Sequence, residues 1–126
     1  MLKLNNINKI FNESTADEKI ALDRINLTLN VGDFVTVIGS NGAGKSTMLN
    51  MVSGALTPDF GQIYINGEEV TKLPEFKRSK LIGRVFQDPM SGTAPTMTIE
   101  ENLAIAFYRN KKRSLKIGVD KQRKEL

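Results

Sequence analysis

The chain has 126 residues, of which 40% are hydrophobic and 25% charged, which is enough for one domain with a hydrophobic core. It contains neither cysteine nor histidine, and this excludes disulfides, thiolate or histidine metal sites, and catalytic triads that use histidine. No apolar run approaches the about 18 residues of a membrane span, and the start lacks the apolar segment of a signal peptide, so a cytoplasmic location is expected.

The net charge of +4 is concentrated at the C-terminal end. Residues 1–108 carry ten basic and twelve acidic side chains, whereas residues 109–126 carry eight basic and two acidic ones. A nucleic-acid-binding domain would carry its basic residues across one face of the fold, so no nucleic-acid partner is expected. The basic tail could bind phosphates of lipid or nucleic acid, but the absence of interleaved aromatic residues favours a solvated helix face or a frayed end.

The first elements along the chain are predicted to be strands. Apolar residues at strand spacing mark four segments: 2–11, 20–22, 25–29 and 34–38. A polar loop over 12–18 separates the first two, and a turn over 30–33 precedes the last. The β-branched run 34–38 ends directly at Gly39.

A glycine-rich stretch follows, and it matches the phosphate-binding loop G-x-x-x-x-G-K-[ST] at every fixed position. Its residues are Gly39, Ser40, Asn41, Gly42, Ala43, Gly44, Lys45, Ser46 and Thr47. Backbone N–H groups bind phosphates when the chain curls around the anion, and Gly39, Gly42 and Gly44 are expected to permit that curl by adopting φ > 0. Lys45 would place its charge on the β- and γ-phosphates, and the Ser46 hydroxyl can ligate Mg²⁺.

The context of the loop is the one that this motif requires. Residues 46–52 have apolar residues at helical spacing, and Gly54 is a natural terminator of that helix. The order strand, glycine loop, helix therefore favours phosphate binding over an ordinary glycine-rich turn.

Further strands and a short helix are predicted after Gly54. Residues 62–65 form a strand, Asn66-Gly67 a hairpin turn, and 74–79 a short helix with Pro74 at its first position. Residues 82–86 are predicted to be a central strand that delivers Gln87 at its end.

The last predicted elements are a loop and a helix. Residues 88–95 contain two prolines and one glycine and are predicted to be a loop. Thr98 caps the following helix, and Glu101, three residues on, completes a capping box. Four apolar residues of this helix share one face that should bury: Ile99, Leu103, Ala106 and Phe107.

The order of these motifs resembles the nucleotide-binding subunit of ATP-binding cassette (ABC) transporters over residues 1 to about 108. The matching stretches are the phosphate loop 39–47, then 53–54, 57–61, 65–67 and 85–89. The resemblance implies an α/β fold, a P-loop NTPase (ABC ATPase-like) core with an antiparallel β-subdomain. Residues 1–96 would form the nucleotide-binding core and β-subdomain, and residues 97–126 would begin the helical subdomain.

The resemblance also implies roles for individual residues. The loop 39–47 matches the Walker A motif that binds ATP. Phe11 lies where the family usually has an aromatic residue that stacks on adenine; the alternative is a core phenylalanine. Gln87 matches the Q-loop glutamine, which reaches the Mg²⁺ and the attacking water; the alternative is a solvated strand end. Lys45 and Gln87 are thus the candidate catalytic residues, and Ser46 and Gln87 the candidate Mg²⁺ ligands.

Several family motifs do not occur in this sequence. It has no Leu-Ser-Gly-Gly-Gln signature, no apolar strand ending in Asp-Glu, and no switch histidine, and it ends 39 residues after Gln87. The chain therefore resembles the N-terminal part of the subunit, truncated within the helical subdomain, so the sheet edge and the inner face of the 99–107 helix would be uncovered. Without those carboxylates, we expect ATP binding weaker than in a complete subunit, and negligible turnover from this chain alone.

The function implied by the resemblance is energy coupling. Two ATPase subunits, identical or different, would sandwich ATP and pass their closure to a transmembrane permease subunit, which places the protein on the cytoplasmic face of the membrane. One alternative is another P-loop enzyme such as a small nucleotide kinase, although in those enzymes the phosphate loop usually follows the first strand. A non-catalytic nucleotide-binding fragment or interaction module is the other alternative.

Overall fold

The computed structural model describes residues 1–108, and the basic tail at 109–126 lies outside the described residues. The chain divides into two compact units, Met1–Ile82 and Gly83–Leu126. The first contains the phosphate loop, and the second contains Gln87 and the last described helix. None of the helices in the described part has the length and apolar character needed to cross a bilayer.

The first unit is built on a four-stranded antiparallel sheet in the order β2-β1-β3-β4. The strands are β1 (Leu2–Phe11), β2 (Lys19–Leu29), β3 (Phe60–Ile65) and β4 (Glu68–Glu69). The segments 20–22 and 25–29, which were predicted separately, form one continuous strand. Asn66 and Gly67 have φ values of 51° and 82°, as the predicted hairpin turn requires. The antiparallel β-subdomain expected from the sequence is therefore present.

One face of this sheet forms the hydrophobic core together with the first helix. The register places Leu4 opposite Leu27 of β2 and Ile63 of β3, and Leu4 and Ile63 are fully buried. The buried core consists of Leu4, Ile7, Leu22, Met51, Ile63, Ile65 and Val70. Because β1 contributes to this core in the centre of the sheet, it fixes the position of both neighbouring strands.

Two helices complete the first unit. Helix α1 (Lys45–Ser53) begins inside the phosphate-loop motif and ends at Gly54, whose φ of 91° and N–H bonds to the Asn50 and Met51 carbonyls form the predicted C-terminal cap. Helix α2 (Glu75–Arg78) is shorter than predicted. Pro74 precedes it as the N-cap in extended conformation, with ψ of 160°, rather than occupying its first position.

Two predicted strands, at 34–38 and 82–86, do not form. Both segments lack strand pairing in the described residues, and Phe34, Ile38 and Val85 are 93%, 92% and 97% exposed. A strand of a parallel sheet obtains its hydrogen bonds from two neighbours and its apolar cover from helices on both faces. No described strand supplies those partners, so the two strand predictions are wrong for this structure, although both runs have the composition of a buried strand.

The second unit contains a 3-10 turn, Pro89–Gly92, and helix α3 (Ile99–Phe107). The predicted capping box is present: the Thr98 hydroxyl accepts from the Glu101 N–H at 3.2 Å, and the Glu101 carboxylate accepts from the Thr98 N–H at 2.8 Å. The predicted loop over 88–95 is fastened to α3 by Asn102, whose side chain pairs with both the N–H and the carbonyl of Ala94 at 2.9 and 3.1 Å.

The apolar face of α3 is exposed. Ile99 and Leu103 are 81% and 62% exposed, so the prediction that this face buries is wrong for the described residues. The exposure of Ile99 and Leu103 agrees with the other expectation stated above, that the inner face of this helix is uncovered.

Candidate phosphate-binding site

The phosphate loop forms a tight curl immediately before α1. Gly42 and Gly44 have the expected positive φ, at 83° and 91°. Gly39 does not, so its predicted conformational role is wrong. A Cβ at Gly39 would instead lie 3.1 Å from the Cβ of Ala43, which shows that this glycine provides space rather than a left-handed conformation. The curl is closed by the Ala43 N–H, which donates to the Ser40 carbonyl at 3.1 Å.

Gly44 packs the end of the loop against β2. It is buried, and a Cβ added to it would lie 2.5 Å from the carbonyl oxygen of Ala21 and 3.0 Å from Leu22 Cδ2. Its own carbonyl accepts the Met48 N–H at 2.9 Å, the first turn of α1. The position where α1 begins is therefore set by a backbone approach to β2 that only glycine allows.

The Lys45 ammonium lies against the backbone of the loop. Its Nζ donates to the carbonyl oxygens of Gly39 and Ser40, the latter at 2.8 Å. A phosphate is a stronger acceptor for this ammonium than the neutral carbonyls, because the opposite charges add a Coulombic attraction to the hydrogen bond. The side chain is thus already at the loop, with acceptors that an anion can replace.

A cleft of about 150 Å³ brings the candidate nucleotide residues together. Its lining residues are Phe11, Lys19, Ala21, Asn41, Gly42, Ala43, Gly44, Lys45, Ser46 and Thr47. The N-terminal turn of α1, whose N–H groups have no helical partner, contributes to the same cleft. The lining includes two lysines and no carboxylate, and this composition suits a polyanion.

Phe11 reaches the cleft because of the pairing between β1 and β2. It is the last residue of β1, lies opposite Lys19, and does not belong to the hydrophobic core, so the interpretation as a core phenylalanine is wrong. Lys19 and Ala21 were not identified from the sequence. A lysine at the start of a strand carries no motif, and only the strand register shows that it lies beside the phosphate loop.

Asp59 anchors the end of β1 next to Phe11. One carboxylate oxygen accepts from Lys9 Nζ and the other from the Ile10 N–H, both at 2.8 Å. The Lys9 ammonium in turn lies 5.6 Å from the centroid of the Phe11 ring. The Ile10 N–H bond, followed by the bond from Lys9, lowers the pKa of Asp59 below its ordinary value. These contacts connect the loop before β3 to the aromatic wall of the cleft.

The lowered pKa predicts an acid-dependent contribution of Asp59 to stability. Since the folded-state pKa is below the unfolded one, this contribution is complete above the ordinary aspartate pKa of about 3.9 and is lost as the pH falls through the folded value. We expect Asp59→Asn to lower the free energy of unfolding by about 1 kcal/mol at neutral pH, with the difference from the wild type vanishing in acid. Urea unfolding of the wild type and of Asp59→Asn, from about pH 7 to about pH 2, measures this difference in the free energy of unfolding.

Asp23→Asn is the matched control, because within residues 1–108 the Asp23 carboxylate pairs only with the exposed Arg24 next to it, at 3.3 Å. A difference between wild type and Asp59→Asn that is independent of pH would show that the carboxylate charge is not what stabilises the end of β1.

Gln87 belongs to the second unit. It lies in a bend between the segment 82–86, which is not a strand, and the 3-10 turn, so the strand predicted to deliver it does not do so. The next residue, Asp88, caps the 3-10 turn by accepting the Met90 N–H at 2.9 Å.

Ser46 offers one neutral oxygen at the exposed first turn of α1. No group of three or more acidic side chains in residues 1–108 is arranged to hold a metal ion. Mg²⁺ is commonly bound by one or two protein oxygens together with phosphate oxygens and waters. Ser46 therefore fits a Mg²⁺ ion that arrives with nucleotide phosphates, rather than an independent cation site.

Comparison with known proteins decides the family. The family model described as ABC transporter matches residues 22–126, most of the chain. The chain belongs to the ABC transporter family. One similar protein is a tyrosine transport ATP-binding protein of Clostridioides difficile (strain R20291), 40% identical over 116 residues, which are 92% of this chain and 46% of that protein. Another is the energy-coupling factor transporter ATP-binding protein EcfA2 of Acetivibrio thermocellus, 42% identical over 70% of this chain and 31% of that protein.

A solved ABC cassette shares the fold. The dimeric post-hydrolysis structure of the ATP-binding cassette MJ0796, bound to ADP and Pi, superposes with a TM-score of 0.77 at 28% identity, covering 99% of this chain and 53% of that one. The α/β P-loop class inferred from the sequence, with its antiparallel β-subdomain, is therefore confirmed. This chain spans less than half the length of the C. difficile and A. thermocellus relatives.

Proposed function

We propose that this chain binds ATP through the loop 39–47 and forms the N-terminal part of an ATPase subunit that powers solute transport across a membrane. The observation that carries the proposal is the cleft, which combines a phosphate loop, a helix N-terminus, an aromatic wall and two lysines without a carboxylate. The strands β1 and β2 precede the loop, an order that disfavours a small nucleotide kinase. Residues 1–96 act as the nucleotide-binding core and β-subdomain, and residues 97–126 begin the helical subdomain.

The cleft residues have distinct roles in binding. The backbone N–H groups of the loop and of the first turn of α1 surround the phosphates. Lys45 exchanges its two carbonyl acceptors for phosphate oxygens. Phe11 stacks on the adenine ring at the other end of the cleft, and Ser46 holds Mg²⁺, which neutralises the charge on the phosphates.

Hydrolysis requires more than the cleft supplies. Gln87, like Lys45, is proposed as a catalytic residue, and it would also be a Mg²⁺ ligand, the roles that the resemblance to the Q-loop glutamine implies. The cleft lining contains no carboxylate that could serve as a general base, a contribution worth about 10²–10⁴-fold in rate. We therefore propose that this chain alone binds ATP with negligible turnover.

The partners proposed for the whole subunit are a second ATPase subunit and a transmembrane permease. The similar MJ0796 cassette is dimeric and bound to ADP and Pi. A subunit of this kind lies on the cytoplasmic face of the membrane through its permease, which agrees with the location expected from the sequence.

We expect Lys45→Ala to weaken binding of Mg-ATP by about 10- to 100-fold, since charge-assisted hydrogen bonds contribute about 1.5–3 kcal/mol each. Isothermal titration calorimetry with the chain measures this. Lys80→Ala is the control, because Lys80 is an exposed lysine outside the cleft lining. An ATP affinity unchanged by Lys45→Ala would reject the phosphate-loop assignment. Robust ATP hydrolysis that Lys45→Ala abolishes would instead reject the proposed inactivity of this chain.

A further inference from the structure

Lys19 approaches the phosphate loop from β2, whereas Lys45 reaches it from the start of α1. It is the first residue of β2 and lies across from Phe11, the last residue of β1. A Cβ added to Gly42 would lie 3.3 Å from the Lys19 ammonium. The lysine side chain therefore spans from the aromatic wall of the cleft to the tip of the loop.

Lys19 differs from the neighbouring lysines in the contacts of its ammonium group. Lys9 pairs with Asp59 at 2.8 Å, and Lys45 donates to two loop carbonyls. The Lys19 ammonium has neither a hydrogen bond nor an ion pair with any described residue, yet it lines a cleft whose lining contains no carboxylate. An ammonium placed beside a phosphate loop, with no acidic neighbour in that lining, is available for an anion.

We propose that Lys19 is a second phosphate-binding cation, which contacts the nucleotide phosphates from the β2 side of the cleft. This inference rests on the proposed ATP site and adds a residue that the phosphate-loop motif does not contain. Lys45 holds the phosphates from the base of the loop at α1, and Lys19 closes over the tip near Gly42. Because Lys19 is exposed, its attraction is screened by salt, unlike a contact made by its apolar stem.

The test is the affinity of the chain for Mg-ATP at about 0.05 M and about 0.5 M salt. We expect Lys19→Met to weaken binding roughly fivefold at low salt, with the difference shrinking at high salt. Lys19→Arg keeps the charge and should stay within about twofold of the wild type. Lys80→Met, which removes the same charge outside the cleft lining, should leave the affinity unchanged.

Two outcomes would overturn the inference. One is an affinity for Lys19→Met that equals that of Lys80→Met. The other is a loss that is independent of salt, which would mean that the lysine stem packs against the nucleoside instead. Lys45→Ala measured alongside separates the two proposals. If Lys45→Ala weakens binding and Lys19→Met does not, only the role of Lys19 fails. If the wild type binds no ATP, the nucleotide site itself fails.

Discussion

Arg78→Met should lower the free energy of unfolding by about 3–5 kcal/mol, the largest loss of stability that we expect from a single substitution in this chain. Arg78 is 1% exposed, and the described residues provide no carboxylate to pair with it. Burial lowers the pKa of the guanidinium, but arginine keeps its charge in proteins. The charge must therefore be stabilised by neutral acceptors.

Four backbone carbonyls provide that stabilisation. The guanidinium donates to Thr71 at 2.8 Å and Leu73 at 2.8 Å in the segment before α2, and to Met51 at 2.6 Å and Val52 at 3.1 Å in the last turn of α1. The carbonyls at a helix C-terminus have no helical partner and carry partial negative charge, so a cation there is favourable. Methionine would remove these donors. The Met51 carbonyl would keep the Gly54 N–H at 3.3 Å, whereas each of the other three oxygens would lose a partner at a cost of about 1–3 kcal/mol.

Gly54 makes room for this arrangement. Its left-handed conformation caps α1, and a Cβ there would lie 3.0 Å from Arg78 Nε. Arg78 and Gly54 together fasten the end of α1 to the segment that leads into α2. The same helix carries Lys45 at its other end, so the position of the phosphate loop depends on this contact.

Urea unfolding followed by circular dichroism tests the expectation for Arg78. Arg24→Met is the matched control, because the Arg24 side chain is 74% exposed, and its loss should cost less than about 0.5 kcal/mol. If Arg78→Met does not fold, Arg78→Lys gives an intermediate stability that can be measured, since lysine keeps the charge but lacks the planar set of donors. Equal stability of Arg78→Met and Arg24→Met would contradict the role of Arg78.

Gly44→Ala should abolish ATP binding at concentrations that saturate the wild type, and should destabilise the fold by about 2–4 kcal/mol. Two physical effects combine at this position. An L-residue at φ of 91° is strained, and its Cβ would be placed 2.5 Å from the Ala21 carbonyl oxygen. The backbone of β2 cannot move away without disturbing its pairing with β1, so the phosphate loop must shift.

Gly32→Ala separates these two effects. Gly32 has nearly the same φ, 87°, but a Cβ there meets no atom within 4 Å. It should therefore show the conformational cost alone, about 1–2 kcal/mol, with ATP binding unchanged. Calorimetry with Mg-ATP and urea unfolding of both variants give the comparison. Equal effects of the two substitutions on ATP binding would contradict the claim that contact with β2 positions the loop.

The sequence predicted several local features correctly because their determinants are close together in the chain. The capping box of Thr98 and Glu101, the hairpin turn at Asn66-Gly67 and the cap at Gly54 each satisfy backbone groups within a few residues. The phosphate loop belongs to the same class. Its spacing identified the candidate site, and the ordered motifs around it identified the family.

The strands at 34–38 and 82–86 were predicted from the same kind of pattern and do not form. A helix satisfies its own hydrogen bonds, whereas a strand depends on the partner beside it. Periodicity and composition therefore indicate that these runs suit a buried strand, but cannot supply the neighbour that would make them one.

The sequence by itself determined the phosphate loop, its flanking helix, the antiparallel hairpins and the absence of histidine and cysteine chemistry. Only the tertiary structure decided which distant residues meet that loop. It brought Phe11 and Lys19 to one cleft through the register of β1 and β2, placed Gly44 against Ala21, and buried Arg78 at the end of α1. These contacts join residues far apart in the chain, and their energies depend on distance and burial, which no spacing in a sequence specifies.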